Sequence, residues 1–465
     1  GGSDASGQGR DHGHRVASGA SAPVPTGDRC DAVAGPEGTA PLAEERGVAI
    51  GAGYPSRHRG TGSVRRMCKA RCVPPERPAT SDPDRLSVGF DATPLLGRPT
   101  GVGAFCAGAL AGLSTRPDVE VSAFAISWRR RKGIDGLVPP GVRTGQRPMP
   151  ARPLHWAWGR GPRPPVEWFI GRHDVVHGSN FVVPPAAHAA RVVTVHDLTV
   201  VLYPDLCDPP TLAYPALVRR AVSEGAWVHT PSQFVADEVV AEWKVDPERV
   251  RAVHHGVPLL PVDAAADPTT GPPFAMPHGC SRYVLAVGTI EPRKDYPLLV
   301  SAFTSLAATH PEVALVVVGS DGWGADAFRT AVAASPARSR IVRPGYLDGP
   351  ALAAALRSAA VLAYPSIYEG FGFPPLQAMA AGVPVVATAA GAVPEVVGDG
   401  AVLVDPGDGD GLAGALSQVL LGGPGIDDLT ARGELRSRRF SWEACADGLA
   451  ALYRDARAAG PRGTP

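Results

Sequence analysis

The run YEGFGFPPLQAMA, residues 368–380, carries the residue types and spacing best suited to chemistry in this chain. Glu369 precedes a Gly370-Phe371-Gly372 turn, which leads through Pro374 and Pro375 into an apolar helical stretch. Proline suits the first turn of a helix, where its missing N–H has no intrahelical partner to lose. A loop and a helix N-terminus then aim at one point. Free N–H groups and the positive end of the helix dipole make that point a seat for phosphate. With a helix starting near Pro374, Gln377 falls on the first turn, beside the Glu369 carboxylate. Such a pair can accept from the vicinal hydroxyls of a sugar or ribose. A helix-end charge and a surface amide would be written with the same letters.

Three further patches carry candidate chemistry. GTIEPRKD, residues 288–295, follows an apolar run and precedes a helical one. Arg293 and Lys294 therefore sit at a strand end, where a guanidinium fork and a point ammonium suit a diphosphate. Two solvated loop charges are the plainer reading. His196-Asp197 closes the run RVVTV, as a sugar contact or as a structural histidine at a strand end. The loop Gly97 to Gly103 allows close backbone approach at Gly101 and Gly103, though a tight turn explains these glycines equally well. Gly319-Ser320 and Gly345-Tyr346-Leu347 lie at later strand ends, where a base and ribose would rest on backbone groups. His254-His255-Gly256-Val257 reads as structure near a linker, because no carboxylate or thiol at ligand spacing accompanies it.

The elements that must position these residues alternate between strand and helix. Short β-branched runs occur at 86–92, 119–126, 174–178, 191–197 and 226–230, with helical patterns at 104–113, 210–223 and 231–243. A Pro/Ala/Asp-rich break spans 259–279. A second series follows at 283–288, 313–319, 361–364, 384–388 and 401–405, again separated by helical stretches. Strands alternating with helices imply parallel sheets covered on both faces. Two doubly wound domains place a cleft between the carboxyl ends of their sheets. A last helix, 442–458, lies beyond the second sheet and could pack back across the junction.

Composition narrows the classes. The chain has 465 residues, with 45 Lys+Arg and 45 Asp+Glu, so no global field favours nucleic acid. Seven cysteines, scattered and odd in number, argue against a disulfide framework and for a reducing compartment. Cys68 and Cys72 form a C-x3-C pair without a second pair at zinc spacing. Residues 1–84 are rich in Gly, Ala, Pro, Ser and Arg, lack apolar periodicity, and read as a disordered extension. They contain no apolar signal segment, and no run of about 18 apolar residues suggests a transmembrane helix.

From Leu86 onward the chain resembles the family 4 glycosyltransferases, retaining enzymes of the two-Rossmann GT-B fold. GTIEPRKD, PSIYEGFGFPPLQAMAAGVPVVAT and GAVPEVVGDGAVLVDP are similar to that family's donor-site signatures. FDATPLLGRPTGVGAF and VVTVHDLTVVLYP are similar to its bacterial mannosyltransferase-like members. The resemblance implies an α/β chain of two Rossmann-like domains facing a central cleft. An acceptor-side domain would span 85–262, a nucleotide-sugar domain 280–440, and a crossover helix 441–458. It implies that Arg293 and Lys294 hold the donor diphosphate, that Glu369 lies beside the donor sugar, and that Gly370, Phe371 and Gly372 form the loop beneath it. His196 would contact the sugar, and the Gly101–Gly103 loop would lie near the phosphates and acceptor. Gln377 stands where the family has a second Glu for the ribose hydroxyls. An amide keeps a bond there, weaker by roughly 1 kcal/mol without charge assistance.

The implied reaction is retaining transfer of a hexose from a nucleotide-diphosphate sugar, with GDP-mannose favoured, to a glycan, lipid-linked or small-molecule acceptor. No cofactor and no metal are expected, because Arg and Lys replace the cation. A GT-B nucleotide-sugar epimerase and a non-catalytic sugar-nucleotide binding protein are the alternatives. The expected place is the cytoplasm. SWRRRKG (127–133) and HWAWGRGPRPPVEWF (155–169) mix basic and aromatic residues, which suits peripheral contact with an anionic membrane on its inner face or a solvated surface.

Overall fold

The computed structural model describes residues 85–97, 100–128, 131–145, 147–207, 209–258 and 271–460. The 1–84 extension, the Cys68–Cys72 pair, residues 259–270 of the expected linker and part of the basic cluster at 129–130 lie outside them.

Two parallel sheets form. The first contains β1 (Leu86–Asp91), β2 (Val119–Phe124), β3 (Arg143–Thr144), β4 (Val175–Gly178), β5 (Ala190–Thr194), β6 (Trp227–Thr230) and β7 (Val250–Ala252), in the order β3-β2-β1-β4-β5-β6-β7. The second contains β8 (Arg282–Val287), β9 (Val313–Val318), β10 (Ile341–Gly345), β11 (Val361–Tyr364), β12 (Val385–Thr388) and β13 (Val402–Val404), in the order β10-β9-β8-β11-β12-β13. Central strands such as VALVVV are buried along their whole length, as continuous β-branched runs require when helices cover both faces. β10 is an edge strand, and the edge is where its Pro344 costs no ladder bond. Each sheet reverses its winding once, between β1 and β4 and between β8 and β11. Ligands of such sheets bind outside the strand ends at that reversal.

Helix α1 (Gly101–Ser114) starts three residues earlier than its periodicity suggests. Gly101 and Gly103 are therefore not loop residues but lie in the first helical turn. Thr100 accounts for this: its hydroxyl accepts from Gly103 N at 3.2 Å and caps the helix, offsetting the poor helix propensity of glycine. The stretch 210–223 divides into a 3-10 turn over Pro209–Ala213 and a helix over Tyr214–Ser223, because Pro215 would lack an N–H inside one unbroken helix but loses no ladder bond in the first turn of a new one.

The last helix, Trp442–Ala459, packs onto α1 and the first sheet. Cys445, Leu449, Leu452 and Tyr453 are buried in one core with Phe90, Phe105 and Leu110. Glycine makes the crossing possible: a Cβ on Gly108 would lie 2.1 Å from the Trp442 ring, and one on Gly112 would lie 2.5 Å from the Trp442 carbonyl oxygen.

A buried chain of hydrogen bonds fixes the same junction. His229 Nε2 meets the Val253 carbonyl at 3.1 Å, so that nitrogen carries the hydrogen. Burial pulls the His229 pKa down to about 3, so the ring is neutral and its Nδ1 accepts, from Thr194 Oγ1 at 2.9 Å. Thr194 must then accept from His177 Nε2 at 2.7 Å, and His177 Nδ1 must accept from the Tyr453 hydroxyl at 2.6 Å. Every direction in the chain follows from one carbonyl and two neutral rings.

These neutral rings set an acid sensitivity. The unfolded histidines bind protons below about 6.5, while buried His229 resists until about 3. Its contribution to stability is therefore complete above the unfolded value and lost as pH falls between the two. Urea denaturation should show a lower midpoint at pH 5 than at pH 7. Tyr453→Phe, which strands the His177 Nδ1 acceptor, should cost about 1–3 kcal/mol at pH 7.

Candidate active site between the two sheets

The loops after β8 and β11, the two strands flanking the reversal of the second sheet, bring the predicted charges together. After β8, Pro292–Lys294 forms a 3-10 turn, and Asp295 at φ 46° caps helix α2 (Tyr296–Thr309). After β11, the chain runs through Tyr368 to Glu369. The Glu369 carboxylate accepts from Arg293 Nη1 at 2.5 Å and from Lys294 Nζ at 2.5 Å. Arg293 Nη2 also donates to Glu291 at 2.6 Å, and Lys294 Nζ donates to the Tyr364 hydroxyl at 3.1 Å. Two cations thus face two carboxylates in a largely buried cluster.

The electrostatics follow from that count. Burial opposes ionisation of Glu369, but Arg293 and Lys294 outweigh it and hold the carboxyl at about 2. Burial likewise opposes the Arg293 charge. Glu369, Glu291 and Asp197 overcome it and push the guanidinium well above its ordinary value. Lys294 is drawn down, chiefly by burial, with Glu369 resisting and Arg293 adding to the fall.

Helix α3 (Phe373–Ala380) begins at Phe373, so Gln377 opens its second turn and not its first. Pro374 and Pro375 occupy the second and third helical positions. They have no N–H, so the donors left at this end are those of Gly372 and Phe373. The anion seat expected there is smaller than a full helix N-terminus. Gln377 is buried, and no group among the described residues hydrogen-bonds its amide. Gly372 takes φ 114°, a left-handed conformation that favours glycine. The Phe371 ring turns away into an aromatic cluster, 5.1 Å from His255 and 5.8 Å from Phe440 between ring centres, leaving only its backbone toward the loop.

The first domain closes against this loop. A Cβ on Gly370 would lie 1.9 Å from the His196 carbonyl oxygen, so only glycine permits the contact. His196 lies two residues beyond β5, and its Nε2 donates to the Ser179 carbonyl at 2.9 Å, leaving Nδ1 as the acceptor. Gly101 brings the start of α1 to the Phe373 ring: its Cβ would stand 3.5 Å away. Gly319 takes φ 152° with its Cα pressed against the Gly288 carbonyl, and its N–H donates to Gly345 O at 2.9 Å. Tyr346 is half exposed beside it, and Leu347 packs against the second core.

Several residues of the site carried no sequence signal. The Tyr368 hydroxyl donates to Glu238 at 2.5 Å and accepts from Leu198 N at 3.0 Å, across the cleft. Ser232 Oγ donates to Gly370 O at 2.9 Å. His255 is not merely near the linker: its ring is buried between Phe105 at 4.3 Å and Phe373 at 5.6 Å, with both nitrogens unpaired. Among the described residues no group of three His, Cys, Asp or Glu could hold a metal ion.

Glu369→Gln tests the charge cluster. It leaves two buried cations short of one counter-charge, which should cost roughly 3–5 kcal/mol in urea denaturation at pH 7. The loss should shrink as pH falls from 4.5 through about 2, where the native carboxylate itself is protonated. An equal loss at pH 7 and at pH 2 would show that the charge is not the stabilising feature.

Residues 278–436 match the family model described as Glycosyl transferases group 1, and residues 100–259 match the one described as Glycosyltransferase Family 4. The chain is 29% identical over 280 residues to O-antigen chain mannosyltransferase B of Escherichia coli, covering 58% of this chain and 71% of that one. It is 30% identical over 318 residues to D-inositol 3-phosphate glycosyltransferase of Kribbella flavida, covering 62% and 72%. Its fold is similar to sucrose-phosphate synthase from Thermosynechococcus elongatus, with a TM-score of 0.57 at 22% identity over 81% of this chain and 100% of that one. With both domains matched and the cleft loops in place, the chain belongs to the family 4 glycosyltransferases and has their two-domain GT-B fold.

Proposed function

We propose that this glycosyltransferase moves a hexose, mannose from GDP-mannose in the favoured case, onto a glycan or lipid-linked acceptor with retention at the anomeric carbon. The observation that carries the reading is the buried pairing of Arg293 and Lys294 with Glu369 at the ends of β8 and β11. A diphosphate is the ligand that two adjacent buried cations suit. Glu369 occupies their donors in its place. When a diphosphate takes those donors, the carboxylate is released toward the sugar, two bonds beyond the phosphate. Charge that builds on the departing diphosphate then meets Arg293, Lys294 and the N–H groups of Gly372 and Phe373. Stabilisation of that kind is usually the largest share of such catalysis. His196 Nδ1 offers an acceptor to a sugar hydroxyl from the opposite wall. Gln377 binds a ribose hydroxyl through its unpaired amide, and Gly319, Tyr346 and Leu347 border the base. The mannosyltransferase name of the E. coli relative supports the choice of sugar.

Thermal unfolding of the full chain with GDP, UDP, dTDP and ADP tests the donor site. A nucleotide at 100 times its Kd should stabilise by about 2.7 kcal/mol. Lys294→Ala should weaken that nucleotide roughly 10- to 100-fold, the worth of one charge-assisted bond. No shift with any nucleotide would overturn the reading.

We further propose cytoplasmic residence with peripheral contact to anionic lipid through the first domain. No helix among the described residues is long and apolar enough to cross a membrane. Trp156 and Trp168 are exposed, and the Arg160 guanidinium lies 4.1 Å over the Trp156 ring. Aromatic and basic side chains together suit the headgroup layer. Sedimentation with phosphatidylserine vesicles should retain the protein and release the Trp156→Ala, Trp168→Ala double variant. Equal retention of both would remove this surface from consideration.

A further inference from the structure

Glu395 stands on α4 (Val393–Val397) in the second domain, yet its carboxylate serves the first. Oε1 accepts from Gln233 N at 2.8 Å and from His254 Nε2 at 2.7 Å, and Oε2 accepts from Phe234 N at 2.9 Å. Gln233 and Phe234 open the first-domain helix Gln233–Trp243, whose own cap is Ser232. A helix start has four N–H groups without intrahelical partners. Here Ser232 takes one, from Val235, and a carboxylate reaching across the cleft takes two.

The same two elements hold the loop beside the charge cluster. Ser232 Oγ donates to Gly370 O at 2.9 Å from the first domain. Ala392, the residue before α4, donates its N–H to Glu369 O at 2.8 Å from the second. The loop backbone is thus gripped from both sides at adjacent carbonyls, and Glu395 ties the two grips together. Arg436 pins α4 within its own domain by donating to the Val396 carbonyl at 3.0 Å, so the tie has a fixed anchor.

We infer that Glu395 is a positioning residue: its cross-domain cap on the Gln233–Trp243 helix sets the place of the Glu369–Gly372 loop relative to the first domain. It touches neither Arg293 nor Lys294 and acts only through the two grips. Its consequence for turnover rests on the proposed function, whereas its effect on the loop does not.

Hydrogen exchange on the full chain without nucleotide separates this role from simple capping. Glu395→Gln keeps the side-chain size but turns an N–H₂ toward one of the two backbone donors. Exchange should rise at least tenfold in peptides spanning 233–236 and also in those spanning 368–373, with β8 and β9 unchanged. Faster exchange confined to 233–236 would reduce Glu395 to an ordinary helix cap and overturn the inference. Ser232→Ala breaks the Gly370 grip directly. It should loosen 368–373 to the same degree, and the double variant should add little. Additive loosening would show two independent contacts and sink the idea. Should GDP-mannose prove to be the donor, its turnover by Glu395→Gln should fall by up to about 10²-fold in kcat with little change in KM, as misplacement of a catalytic loop requires. If GDP-mannose is not turned over by the wild type, the proposed donor fails and the exchange result still decides the role of Glu395.

Discussion

A single carboxylate held between two buried cations organises the cleft. Glu369 comes from the loop after β11, and Arg293 and Lys294 come from the turn after β8. Their pairing joins the two strand ends where the second sheet reverses. Burying such a cluster is costly unless every charge is matched. Glu291 and the Tyr364 hydroxyl supply the remaining matches. The loop positions therefore follow from charge balance as much as from backbone preference.

The first domain contributes shape and closure, and its Asp197 adds a carboxylate that favours the Arg293 charge. His196 presses its carbonyl against Gly370, Tyr368 reaches back to Leu198 and Glu238, and Ser232 holds the next carbonyl. Around them a layer of rings, Phe105, His255, Phe371 and Phe373, fills the junction.

The fold and the family were legible because they are written in contiguous residues. Runs such as VALVVV, short, β-branched and free of polar interruption, read as strands buried on both faces. GTIEPRKD and YEGFGFPP place their chemistry directly after such runs. What escaped the reading acts across distance. Arg293 and Glu369 are 76 positions apart, and their direct pairing is visible only once β8 and β11 lie side by side. Tyr368 and Glu395 look like ordinary residues until the opposite domain supplies their partners. Gly101 and Gly103 misled because glycine suggests loop, whereas the Thr100 cap overrode that preference. Pro374 and Pro375 signalled a helix start correctly but also removed two of the donors that such a start normally offers.

The crossing of the last helix over α1 bears on how the molecule comes into being. Leu449, Leu452 and Tyr453 complete a core whose other members, Phe90, Phe105 and Leu110, leave the ribosome more than three hundred residues earlier. Domains commonly fold as they emerge, the N-terminal one first. Here the first half must wait with an apolar face uncovered until the helix Trp442–Ala459 is made. The order of synthesis and the order of completion are reversed. The two halves cannot be separated by cutting at the linker without taking part of one from the other.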